Sequence, residues 1–141
     1  MATLTVDEPR DYQIADKEDY PVEAAATIFE GAAVGDNAAG YSRPLVAGDI
    51  FQGFAERKVD NSDGAAGDIA VRVHALGRVV VNVVGADITA NARPAVYASD
   101  DNTFTLTAGA NSLIGYVSRW VSGTSCVVEF DAANAQAALQ A

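Results

Sequence analysis

The chain has 141 residues, half of them hydrophobic and a fifth charged, with a formal net charge of −10. A chain of that length fits one domain that buries roughly two-thirds of its unfolded surface, and the apolar share supports a packed core over disorder. An acidic surface repels phosphate backbones and anionic lipid heads, which argues against nucleic acid and membrane surfaces as partners.

Residues 1–23 read as an arm. They carry Pro9 and Pro21 and show no sustained period of two or 3.6. The first 36 residues hold nine acids (Asp7, Glu8, Asp11, Asp16, Glu18, Asp19, Glu23, Glu30 and Asp36) against Arg10 and Lys17. The opening MATLTVDEPR has neither the basic n-region nor the apolar h-region of a secretory signal. Tyr12, Ile14, Tyr20 and Val22 punctuate the arm as apolar anchors for a surface, or the segment is a loose terminus. A helix within 16–26 is a further alternative, opposed by Pro21.

From Ala24 the chain reads as strands cut by turns. Ala26–Phe29 is a first strand, and the stretch after it is rich in glycine and alanine, with turn signals at Gly35-Asp36-Asn37 and Gly40. Tyr41–Val46 is a second strand, with Pro44 suggesting an edge or an end. Ala47-Gly48-Asp49 is a turn, and a strand follows through Ile50–Lys58. Val59–Gly67 is a loop of turn-forming residues. In Asp68–Ala75, Ile69, Val71 and Val73 alternate with Ala70, Arg72 and His74, the signature of a half-buried strand.

Gly77 breaks this pattern, and Arg78–Val84 is expected as a more deeply buried hairpin partner. Asp87–Asn91 is a turn region, Ala95–Ala98 a strand, Ser99–Asn102 a tight turn and Thr103–Thr107 its return. Leu113–Val121 and Ser125–Phe130 form the clearest hairpin, through Ser122-Gly123-Thr124. Strict alternation puts Ile114, Tyr116 and Trp120 on one face and Leu113, Val117 and Val121 on the other, with Trp120 as core or as aromatic contact surface. The alanine-rich tail 132–141 either frays or forms a short helix capped by Asp131. Nine or ten short strands predict a single-domain, all-β antiparallel sandwich or barrel of jelly-roll type, with an extended N-terminal arm. No apolar run approaches the ~20 residues of a membrane span, so a soluble protein is expected.

No catalytic constellation is legible. His74 is the lone histidine, without a sequence neighbour to act with, and reads as a solvent or interface residue. Cys126 is the lone cysteine; it cannot close an internal disulfide, which suits a reducing cytoplasm, and it reads as a buried thiol. Asp60-Asn61-Ser62-Asp63-Gly64 departs from a calcium loop because glycine falls fifth and Val71 stands where the closing glutamate belongs. Asp100-Asp101 is a hairpin tip. The glycines match neither a dinucleotide fingerprint nor a P-loop. Neither a metal nor a cofactor is expected.

Three ordered elements carry a resemblance: Ala47-Gly48-Asp49 with Phe51-Gln52-Gly53-Phe54-Ala55, then Ala95-Val96-Tyr97-Ala98-Ser99-Asp100-Asp101, then Leu113-Ile114-Gly115-Tyr116-Val117. In this order they resemble the capsid decoration, or cement, proteins of tailed bacteriophages, over roughly residues 24–131. The resemblance implies a β-sandwich or barrel that binds the outer surface of an assembled head as a homodimer or homotrimer, contacts the major capsid protein, and reinforces the shell against DNA pressure. It transfers no catalytic residue. On this reading Tyr12, Ile14 and Tyr20 anchor the arm, and Trp120 is a further contact candidate. The rival reading is a carbohydrate- or ligand-binding jelly-roll module, such as a virion adhesin domain, using Trp120 with Glu129.

Overall fold

A computed structural model describes residues 3, 5–10, 13 and 16–140, with backbone alone at 139 and 140. The elements in chain order are β1 (Lys17–Pro21), β2 (Thr27–Ile28), β3 (Ala33–Asp36), β4 (Ser42–Pro44), β5 (Ile50–Ala55), β6 (Val59–Asp60), β7 (Ala70–His74) and β8 (Leu76–Val84). A 3-10 turn at Ile88–Ala92 leads to β9 (Ala95–Ala98), β10 (Phe104–Thr105), β11 (Ser112–Ser122), β12 (Ser125–Asp131) and helix α1 (Ala132–Gln140). The all-β expectation holds, in a two-part form. One part is a five-stranded sheet in the order β1-β7-β5-β3-β4; the other is a closed five-stranded barrel, β10-β8-β12-β11-β9. All pairings are antiparallel except β8 with β10, and β2 and β6 make a two-stranded accessory sheet.

The open sheet is covered on both faces at β3 and β5, which are buried almost throughout, while β7 keeps one exposed face. Ala33, Phe51 and Phe54 face the barrel and join Phe104, Ile114, Val117, Val128 and Phe130 in the larger core. Val34 and Ala55, one residue on, face the other way with Val22, Ile28, Val71 and Val73. A bulge at Gln52-Gly53 sets this pattern: Phe51 pairs with Gly35, while Gly53 pairs with Val34 and Phe54 with Ala33. The extra residue turns both phenylalanines to one side. There Phe54 stacks edge-on with Phe51, at 5.5 Å between centroids, and with Phe130, at 4.9 Å. Gln52, turned back into the sheet, accepts a hydrogen bond from Ser42 Oγ at 2.5 Å.

The structure corrects three expectations and, at the C-terminus, decides between two alternatives. The arm does not extend to residue 23: β1 pairs along its whole length with β7, and Val22 is wholly buried. The sequence Lys-Glu-Asp-Tyr-Pro hides this edge strand because only its inner face is apolar, through Tyr20. Ala33–Asp36, expected as part of a turn-rich stretch, is the strand β3. Arg78–Val84 is not the hairpin partner of β7; β8 leaves the sheet and pairs with β12 and β10 in the barrel. It is also half-exposed along its length, because only one of its faces looks into the barrel. The tail 132–141 is helical through Gln140, with Asp131 accepting from the Asn134 N–H at 3.2 Å.

The loop that superficially suggested calcium is built around a buried amide. Asn61 Nδ2 donates to the carbonyls of Glu23 at 2.9 Å and Ala65 at 3.0 Å, and reaches that of Val22 at 3.5 Å. Asn61→Ala is expected to lower the unfolding free energy by about 2–3 kcal/mol, since it strands buried acceptors. Urea melts will read this as a lower midpoint with unchanged slope.

Candidate functional site: an open cleft on the outer wall of the barrel

Strand β11 shapes the outer wall. Register irregularities between Leu113 and Gly115 against β9, and between Val117 and Arg119 against β12, interrupt strict alternation. As a result Ile114 and Val117 are wholly buried and Trp120 packs against the same core, while Tyr116, 40% exposed, turns outward. The faces expected from alternation therefore do not form: Tyr116 parts from Ile114 and Trp120, and Val117 joins them.

Outside the barrel, Gly77 on β8 and Gly115 on β11 both pair with Phe130 of β12, whose ring points inward. This row carries no outward side chain, and it lies in a cleft of about 670 Å³ whose apolar walls include Leu76, Ala95 and Leu113. At Gly115 a methyl group would lie 2.0 Å from the carbonyl oxygen of Glu129, so the close approach of β11 to β12 requires glycine there.

The cleft's polar groups form a short chain. Arg78 Nε donates to Glu129 Oε1 at 2.9 Å, and the Tyr116 hydroxyl donates to Glu129 Oε2. The Tyr116 bond, followed by that from Arg78, holds the Glu129 carboxyl below its ordinary range, and the same bond raises the Tyr116 phenol. Arg93, Asp131 and Asn134 complete the polar lining. Arg93 ends the 3-10 turn in the left-handed region, at φ 65°, and its side chain forms no ion pair among the described residues.

No family model, curated protein or solved structure matches the chain. The site must therefore be judged from its own chemistry. Cys126 is wholly buried in the barrel, where burial pushes its thiol up, whereas His74 is exposed on β7 of the open sheet. Native protein at pH 8 is expected to react with a thiol reagent at least about a hundredfold more slowly than urea-unfolded protein, as followed by mass shift. Asp100 accepts from the Asn102 N–H at 2.8 Å and from Thr103 Oγ1 at 3.1 Å, as a turn residue does. Among the described residues no three histidine, cysteine or acidic side chains gather into a metal site. No helix among them is long and apolar enough to cross a membrane.

Tyr12 and Ile14 lie outside the described residues. Tyr20 packs its half-buried ring on the second core, and the Trp120 indole N–H donates to the Gly123 carbonyl at 2.9 Å. Trp120 and Glu129, the pair suggested for sugar binding, do not converge: the first packs on the core and the second lines the cleft. Sequence reasoning did not single out Leu76, Arg78 or Arg93 for this site. Their convergence depends on the β8–β12–β11–β9 order, which no local signal encodes.

Proposed function

We propose that this chain is a structural virion protein that binds the outer surface of an assembled phage head. There it contacts the major capsid protein, cements neighbouring subunits as a homodimer or homotrimer, and touches neither nucleic acid nor membrane. It turns over no substrate. The jelly-roll kinship and the arm, now confined to residues 1–16, belong to the same proposal. The observation that carries it is an apolar outer wall on a firmly packed barrel. Val80 and Val84 stand on the outward face of β8 at 62% and 59% exposure, flanking Asn82, with Ile88 at 62% beyond them. Apolar side chains set along one rigid face suit adhesion to another protein surface.

Co-sedimentation of purified protein with emptied phage heads tests the reading. Saturable binding is expected, weakened at least about tenfold by Val80→Asp combined with Val84→Asp, since burying two carboxylates against an apolar partner is costly. Failure of the native protein to bind intact heads rejects the function. Equal binding by the double variant rejects this face as the contact.

A further inference from the structure

The hydrogen-bonding state of the outer cleft defines what it can hold. Every oxygen of its two carboxylates already accepts a bond. Glu129 takes Arg78 Nε and the Tyr116 hydroxyl, while Asp131 takes the Asn134 N–H at 3.2 Å and Asn134 Nδ2 at 3.1 Å. The guanidiniums are in the opposite condition. Arg78 uses Nε alone, and the Arg93 side chain makes no hydrogen bond among the described residues. The cleft thus offers open donors beside an apolar floor, a match for an apolar side chain followed by carboxylates.

One segment of the chain has that chemistry. Residues 5–10 are exposed throughout, Val6 is 73% exposed, and Asp7 and Glu8 follow it directly. None of them lines the cleft of their own molecule. The ten residues between Val6 and Lys17 of β1 let Val6 lie up to about 40 Å from the start of that strand when extended.

We propose that the Val6-Asp7-Glu8 segment of a second copy seats in this cleft, Val6 on Leu76 and Leu113, and the carboxylates on Arg78 and Arg93. Segment and cleft are different surfaces, so the contact is head-to-tail, and it closes into a ring where the geometry permits. The assignment stands apart from the capsid reading and survives if heads are not bound.

Sedimentation velocity of the full chain across a concentration series at low salt tests it, with two charge reversals at exposed positions. Arg93→Glu alone, and Asp7→Lys with Glu8→Lys, should each weaken self-association at least about tenfold, while thermal melts match the parent. Mixing the two variants should restore a mixed assembly, because the reversed charges again complement each other. A parent that stays monomeric throughout overturns the proposal. So does association indifferent to either reversal, or a mixture that fails to recover.

Discussion

Phe54→Ala is expected to lower the unfolding free energy by about 3–5 kcal/mol, the range for truncating a buried aromatic. Phe54 is 5% exposed and sits where the open sheet meets the barrel, with Phe51, Phe104 and Phe130 all within 6 Å of its ring centroid. Removing it deletes the shared partner of three rings and opens a void that none of them can fill without losing its own contacts. Calorimetry should show a fall of roughly 10 °C or more in the melting temperature. Phe29→Ala is the control. Phe29 is 57% exposed and should change stability by no more than about 0.5 kcal/mol. A Phe54 variant that melts with the Phe29 variant would mean that sheet and barrel are not joined through this contact.

Gly53→Ala, which adds a single methyl group, is expected to cost at least about 3 kcal/mol. Gly53 has φ 135°, a conformation that side chains rarely adopt, and an added Cβ would lie 2.3 Å from the His74 carbonyl oxygen. The strain and the collision are separate penalties. Relieving either one moves β5 away from β7 or unwinds the bulge that aims Phe51 and Phe54. Gly31→Ala serves as the comparison: its φ is 82°, but nothing lies within 4 Å of the added carbon. It should therefore show the conformational penalty alone, about 1 kcal/mol. Urea melts of the two variants separate the terms.

The strands that could be read from the sequence share a property: a periodic apolar run between strong turn signals. Ala95–Ala98 forms as expected, and the β11–β12 hairpin differs from expectation by about a residue at its ends. In β7 the alternation of Val71 and Val73 with exposed neighbours was visible directly. Strand β3 was not legible, because Ala-Val-Gly-Asp is buried on both faces and small side chains carry no period. Pairing was the larger loss. Alternation tells which side of β8 faces a core, not that β12 and β10 will flank it.

The cleft was hidden for the same reason. Leu76, Arg93, Leu113 and Glu129 are distant in sequence and meet only across four strands. Tyr116 was visible as a large aromatic, but its outward turn depends on irregularities that strict alternation cannot anticipate.

Because β3 and β5 send alternate side chains into two separate clusters, the open sheet is the common wall of both. Neither compartment has a boundary of its own that would survive loss of the other. Heat or denaturant should thus dismantle the molecule in one step, leaving no half-formed remnant to stick to its neighbours in a crowded suspension.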